Sequence, residues 1–192
     1  MQRIHAVGLL AAAALLCSSC TPVVVETPTP TPVATLQCHG EFTEETHPCD
    51  QAKYDAMAAR DAQYEEAERV YTRVTQLMWE LRAQRRRANE EMRSLAMNSF
   101  LAAVEEELDA GPSSGVVYSG HPEVAWTARK SASDEGSLLA LETCLRSGTA
   151  RASSDGVEVA MPIMREQVFF KSVDGQLKIA SSRSAQVESC EV

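Results

Sequence analysis

The stretch VFFKSVDGQLKIA, residues 168–180, places an Asp-Gly pair between two short apolar runs. Apolar side chains recur at every second position on both sides of this pair: Val168 and Phe170 before it, Leu177 and Ile179 after it. Such alternation is typical of half-buried strands. An Asp-Gly pair between two alternating runs is the strongest short-range signal for a β-hairpin. We therefore predict two antiparallel strands joined by a turn at Asp174-Gly175.

The same two-residue period extends back from this hairpin to Gly115. The earlier alternating runs are Val116 with Tyr118, Val124 with Trp126, and Leu139, Leu141, Thr143 and Leu145. Asp155-Gly156 supplies a further turn between strands. The second half of the chain is thus predicted to form about four to six antiparallel strands.

The first half, from Asp50 to Ala110, contains neither glycine nor proline. Apolar residues recur there in a helical stripe: Met57, Tyr64, Tyr71 and Met78, then Ala67, Val74 and Leu81, with Val70 and Leu77 beside them. This spacing predicts a long helix with one apolar face. Because the repeat is a heptad, a coiled coil is an alternative interpretation.

A break is expected where the arginines Arg85, Arg86 and Arg87 and then Asn89 interrupt the stripe. A second apolar stripe follows the break: Met92, Leu95, Ala96, Phe100, Val104 and Leu108. Gly111-Pro112 ends it. Two or three helices followed by strands predict an α+β domain, with N-terminal helices packed on a curved antiparallel sheet.

The amino terminus is typical of an export signal. Arg3 gives it a basic start, and Ala6–Leu16 is entirely apolar. As a helix this run would extend about 16 Å, which is too short to cross a hydrocarbon layer of ~30 Å. The small residues Cys17, Ser18 and Ser19 then provide a cleavage site.

Leu16-Cys17-Ser18-Ser19-Cys20 resembles the lipobox of bacterial lipoproteins, in which the cysteine thiol receives a diacylglycerol before cleavage. On this interpretation Cys20 is the lipid attachment site and the protein lies on the extracytoplasmic face of the cell membrane. Two or more acyl chains on one cysteine give stable anchoring. The same small residues also suit ordinary signal peptidase, so a freely secreted protein is the alternative.

Proline and threonine dominate the segment after Cys20. Pro22, Pro28, Pro30 and Pro32 favour an extended polyproline conformation with no packed core. We divide the chain into a lipoprotein signal peptide at 1–19, a linker at 20–37, a small lead-in at 38–50 and an α+β domain at 51–192.

The charge balance bears on possible partners. Eighteen basic and twenty-seven acidic residues give a net charge of −9, which repels phosphate backbones and disfavours nucleic acid as a partner. The expected partners are the membrane, through the lipid on Cys20, and an envelope protein or wall polymer. The arginines between Arg82 and Arg93 could bind an anionic wall polymer, but Glu90 and Glu91 among them favour a solvated helix face.

Four cysteines remain if Cys17 is removed and Cys20 is lipidated: Cys38, Cys49, Cys144 and Cys190. They allow three disulfide pairings, and the cysteines of an exported protein are expected to form disulfides. A zinc site of Cys38-His39 and His47-Pro48-Cys49 is the alternative for the first two. Neighbouring Cys-His is not a usual zinc spacing, so we predict two disulfides and no metal.

The stretch from Ala110 to Cys190 resembles the C-terminal half of small secreted actinobacterial lipoproteins with a nuclear transport factor 2-like fold. The matching residues are Gly111, Gly115, Gly120, Leu141-Glu142-Thr143-Cys144, Asp174-Gly175-Gln176-Leu177-Lys178-Ile179 and Cys190, with Tyr54 to Met78 as the family's long first helix. Two positions depart from the family pattern: Arg146 stands where the family often has Asp, and Leu177 where it has Trp. The resemblance implies a cone-shaped domain and a Cys144–Cys190 disulfide. The remaining cysteines, Cys38 and Cys49, would then form a second disulfide that closes the lead-in.

Enzymes with a cone of this kind place an Asp or Glu base beside Tyr or His on an apolar wall. The candidates here are Tyr71, Tyr118, His121 and Trp126. The spacing places no acidic neighbour beside Tyr71 or His121. We therefore expect a binding or structural interaction module without catalytic residues or cofactors. An acid–base enzyme and a helix-mediated oligomer are the alternatives.

Overall fold

The computed structural model describes residues 35–134 and 136–191. They form the predicted α+β domain, with helices packed on an antiparallel sheet. The predicted signal peptide, the lipid attachment site Cys20 and nearly all of the linker lie outside the described residues. Within those ranges, no helix is both long and apolar enough to span a membrane.

The lead-in is a small antiparallel hairpin of β1 (Gln37–His39) and β2 (Thr46–Pro48). The Cys38–Cys49 disulfide closes this hairpin, with an S–S distance of 2.02 Å. Cys38 is buried although the rest of the hairpin is largely exposed. The disulfide therefore fixes the chain just before the first helix.

Three helices follow: α1 (Gln51–Ala83), α2 (Glu90–Leu95) and α3 (Asn98–Ala110). Asp50 caps α1 by accepting a hydrogen bond from the backbone N–H of Lys53 at 2.9 Å. The predicted break is confirmed, because α1 ends before Arg85, which adopts a positive φ of 52°. Asn89 then caps α2 through the N–H of Met92 at 2.9 Å.

The heptad stripe of α1 is buried inside the chain's own core. Its members Tyr64, Tyr71, Val74 and Leu81 are each at most 2 % exposed. They belong to one cluster with apolar residues of the sheet, among them Leu141, Val168 and Ile179, which come from three strands. The same cluster includes Met92 of α2 and Val104 of α3, so the stripe packs on the sheet and on the other helices of its own chain.

The main sheet has four antiparallel strands in the order β4-β5-β8-β9, and a smaller sheet has the order β3-β6-β7. The strands are β3 (Val117–Ser119), β4 (Glu123–Lys130), β5 (Leu139–Arg146), β6 (Arg151–Ser154), β7 (Val157–Ala160), β8 (Ile163–Val173) and β9 (Gln176–Val187). A short 3₁₀ turn at Gly111–Ser113 joins α3 to β3.

The hairpin predicted at Asp174-Gly175 is confirmed as the β8–β9 connection. Both turn residues have positive φ, 52° for Asp174 and 78° for Gly175. Two consecutive positive φ angles are what the tight turn of a right-twisted hairpin requires. Asp155 and Gly156 repeat the arrangement between β6 and β7, with φ angles of 51° and 79°.

The far face of the main sheet carries the second disulfide. Cys144 on β5 is bonded to Cys190 near the carboxyl end, with a Cα–Cα distance of 5.7 Å. The indole Nε1 of Trp126 donates to the carbonyl oxygen of Cys190 at 2.7 Å, and the Arg165 guanidinium lies 5.6 Å from the centre of the Trp126 ring. The carboxyl-terminal tail is therefore held against this face.

Candidate functional site

A cavity of about 570 Å³ lies where α1 and α3 meet the main sheet. This volume is within the usual range for small-molecule sites, roughly 300–1,000 Å³. Its wall is mostly apolar and includes Met78, Trp79, Phe100, Met161 and Met164. Because methionine side chains adapt their shape, this wall can accommodate irregular apolar groups.

A row of polar side chains crosses the inner face of the sheet. Thr143 on β5 pairs in register with Glu166 on β8, and Glu166 pairs with Ser184 on β9. The row faces Tyr71 of α1. Residues of one face alternate along each strand, so this row shares its face with the core residues Leu141 and Val168.

The hydroxyl of Tyr71 connects two members of this row. It donates to Oε2 of Glu166 at 2.8 Å and accepts a hydrogen bond from the Thr143 hydroxyl at 2.9 Å. Thr143 is completely buried and Tyr71 is 2 % exposed. The hydrogen-bond chain therefore runs from Thr143 through Tyr71 and ends at the Glu166 carboxylate.

Burial in this site changes the acidity of two groups. Loss of water raises the pKa of Glu166, although the Tyr71 hydrogen bond and the positive charge of Arg82 oppose the shift. Loss of water, and next the nearby Glu166 charge, also raise the pKa of Tyr71. Tyr71 therefore stays protonated at neutral pH, while Glu166 protonates more readily than an exposed glutamate.

Arg82 stands beside this group at another side of the cavity. Its guanidinium lies 5.2 Å from the centre of the Trp79 ring and 5.7 Å from that of Tyr118, and it forms a salt bridge with Glu107 of α3. Trp79 and Tyr118 meet edge to face with ring centres 5.5 Å apart. These contacts fix Arg82 in place.

Two other arginines of this region form salt bridges with α3. Arg87 pairs with Asp109 at 3.1 Å, and Arg93 pairs with Glu105 at 2.8 Å. The expectation of a merely solvated helix face is therefore wrong for Arg82, whose side chain is only 14 % exposed. The partner of Arg82 lies on α3. The sequence pattern did not indicate that the acidic residues of α3 pair with these arginines.

Of the four candidate residues from the sequence, only Tyr71 lines the cavity. Tyr118 packs behind it against Trp79, and Trp126 holds the carboxyl-terminal tail. His121 is exposed in the loop before β4, where its backbone N–H donates to the Thr149 hydroxyl at 3.0 Å. The structure does not bring these three residues into the site.

The spacing placed no acidic neighbour beside Tyr71, but in the structure Glu166 accepts its hydrogen bond. The signal was present in the sequence: Glu166 precedes Val168 and Phe170 by two and four positions, which places it on their face of the strand. The sequence pattern could not show that α1 and β8 cross at Tyr71. Arg82 was likewise assigned to a charge run instead of the cavity.

A second polar cluster joins the lead-in to α1 and β4. Nε2 of His39 lies 3.1 Å from Oδ2 of Asp61, and Asp61 also forms a salt bridge with Arg129. Beside it, Glu41 accepts hydrogen bonds from Arg60 at 2.7 Å and from Tyr64 at 2.9 Å. Burial, followed by the Glu41 carboxylate, raises the pKa of Tyr64 to about 12.

Neither cluster has the geometry of a metal site. The described residues contain no group of three or more His, Cys, Asp or Glu side chains arranged to hold an ion. Cys38 and Cys49, the sulfur ligands of the alternative zinc site, are bonded to each other. Their thiolates are therefore not available to a metal.

Comparison with known proteins gives only distant structural similarity. The sequence matches no established protein family and no curated protein significantly. Aln2 from a Streptomyces species is similar over 65% of this chain and 90% of its own, with 14% identity and a TM-score of 0.42. The intermembrane space region of the chloroplast protein ARC6 is similar over 63% of this chain and 95% of its own, with 12% identity and a TM-score of 0.38.

Proposed function

We propose that this protein is a lipid-anchored binding module on the extracytoplasmic face of a cell membrane, and that its cavity receives a small ligand. The proposal includes membership of the actinobacterial lipoproteins with a nuclear transport factor 2-like fold. The cavity of about 570 Å³ between helices and sheet carries the binding part. Protein interiors are otherwise close-packed, so an apolar cavity of this size with a few polar groups is the expected form of a ligand site.

Export to an oxidising compartment is supported by the two disulfides. Anchoring is supported by the sequence at the amino terminus, where an apolar run stops at Cys20 and a proline-rich segment follows. The proposed linker would hold the folded domain away from the membrane, where an envelope protein or wall polymer could also reach it.

The anchor can be tested with two matched cysteine variants. Cys20→Ala should abolish acylation and release the protein from the membrane fraction, whereas Cys17→Ala should leave both unchanged. Mass spectrometry of the amino-terminal peptide is the measurement. A mature chain that still begins at Met1, or that carries no acyl mass, would exclude the lipid anchor.

The cavity can be tested with two neighbouring alanines of α3. Both are exposed, but Ala103 lines the cavity and Ala102 does not. We expect native mass spectrometry of protein purified from its own envelope to show a bound small molecule. Ala103→Trp should eliminate it by filling the cavity, and Ala102→Trp should retain it. Equal occupancy in both variants would place the ligand elsewhere.

Acid–base catalysis is the second candidate function, and the hydrogen bond between Tyr71 and Glu166 favours it. A buried carboxylate with a raised pKa is a suitable general base. Conversion of the bound compound into a product, lost in Glu166→Gln while binding is retained, would establish an enzyme. The helix-mediated oligomer is disfavoured, because the stripe it needs is buried in the core.

A further inference from the structure

We propose that the cavity selects amphipathic amines, binding the protonated amine at Glu166 and the apolar body against the methionine and aromatic wall. The inference rests on the proposed binding function and names the chemical class of the ligand. It follows from three observations: the direction of the hydrogen bonds at Glu166, the pairing of the other charges, and the apolar wall.

Glu166 is placed to accept hydrogen bonds from a ligand. Tyr71 donates its hydroxyl proton to Oε2, and Thr143 donates its own to Tyr71. The hydroxyl protons of these two residues are therefore already used in hydrogen bonds. Within the described ranges, Oε1 of Glu166 receives no hydrogen bond from the protein. An ionised carboxylate has room for several donors, and an ammonium group offers three.

The other charged groups that line the cavity already have partners. Arg82 pairs with Glu107, and the Arg146 guanidinium lies 2.9 Å from Glu123. Glu166 forms no salt bridge with any residue of the described ranges. Arg82 acts on Glu166 only at a distance. Burying a carboxylate without a directly paired cation is costly, so a cationic ligand group in contact with it would relieve that cost.

The remainder of the wall fits an apolar body. Met78, Trp79, Phe100, Met161 and Met164 all line the cavity. An anionic head group is disfavoured, since it would bring a like charge beside a poorly solvated carboxylate. Arg82 does not remove this objection, because its charge is already paired with Glu107 through Nη2, although its buried Nε has no hydrogen-bond partner.

The net charge of −9 also favours cationic over anionic ligands, but it acts outside the cavity. A negative surface potential raises the local concentration of small cations and lowers that of anions. This long-range effect is independent of Glu166, so an experiment on the cavity has to separate the two contributions.

Three probes with the same apolar chain and different head groups make the test: n-octylamine, n-octanol and octanoate. Isothermal titration calorimetry of the whole protein should show octylamine binding at least about tenfold more tightly than octanol, the size of effect that a charge-assisted hydrogen bond gives. Octanoate should bind more weakly than octanol. A preference for octanol or octanoate overturns the inference and leaves the binding function in place.

Glu166→Gln is the corresponding variant, because glutamine keeps the shape and can still accept from Tyr71. It should weaken octylamine binding about tenfold and change octanol binding less than about twofold. Glu44→Gln removes the same charge from the exposed lead-in and should change neither. Equal losses in both variants would assign the preference to net charge and overturn the inference. If none of the three probes binds the wild-type protein, the proposed binding function fails with it.

Discussion

The imidazole of His39 bridges the lead-in hairpin to α1, because its Nε2 lies 3.1 Å from Oδ2 of Asp61. The other ring nitrogen, Nδ1, lies 2.8 Å from the carbonyl oxygen of Gly40. Both partners are acceptors, whereas a neutral imidazole has only one donor nitrogen. The arrangement therefore favours the doubly protonated, positively charged ring.

The pH dependence of stability should reflect this arrangement. The Gly40 carbonyl, and next the Asp61 carboxylate, raise the pKa of His39 above 6.5, against the opposing effects of desolvation and of the Arg129 charge. A raised folded-state pKa gives stability that is fully present below the unfolded value and is lost as the pH rises through the folded value. The urea midpoint of unfolding should therefore be higher at about pH 5.5 than at about pH 8.5.

The control for His39 is the exposed His121. His39→Gln should reduce the difference between the two midpoints, because glutamine cannot carry the charge. His121→Gln should leave the difference unchanged, since in the described residues no acidic side chain hydrogen-bonds its ring. An NMR titration of His39 that gave a pKa below 6.5 would contradict the interpretation of the geometry.

The two disulfides should contribute unequally. Cys144 and Cys190 are separated by 46 positions and Cys38 and Cys49 by 11. Loop-closure entropy then predicts about 4 kcal/mol for the first bond and about 3 kcal/mol for the second. Replacing each pair by alanine and measuring the free energy of unfolding in urea checks the order. A larger loss from the lead-in pair would show that local packing outweighs loop length.

The sequence predicted those features of the fold that depend only on residues close together in the chain. The turn at Asp174-Gly175 and the break after Ala83 need only residues within a few positions, and both are confirmed. The candidate site depends on where α1 crosses the sheet, which brings Tyr71 to Glu166 across 95 positions. No periodicity within one element encodes such a crossing, so the acidic partner was missed.

The β8–β9 turn should not tolerate a side chain at Gly175. Its φ of 78° lies in the left-handed region, which costs other residues roughly 1–2 kcal/mol. Gly175→Ala should lower the free energy of unfolding by about that amount, although no atom lies within 4 Å of the added Cβ. Gly111 has the same open space but a helical φ of −54°, so Gly111→Ala should be neutral or stabilising. Equal effects at both positions would show that backbone conformation is not the cause.

Tyr71→Phe tests the hydrogen-bond chain at the cavity. The substitution keeps the buried ring but leaves the Thr143 hydroxyl and the Glu166 carboxylate without their shared partner. Leaving buried polar groups unsatisfied costs roughly 1–3 kcal/mol, which urea unfolding will detect. Loss of the Tyr71 hydrogen bond should also raise the pKa of Glu166 further, and an NMR titration of its carboxyl carbon measures that shift. Tyr54→Phe, at an exposed tyrosine of the same helix, should change neither quantity. An unchanged Glu166 titration in Tyr71→Phe would mean that the tyrosine does not support the carboxylate.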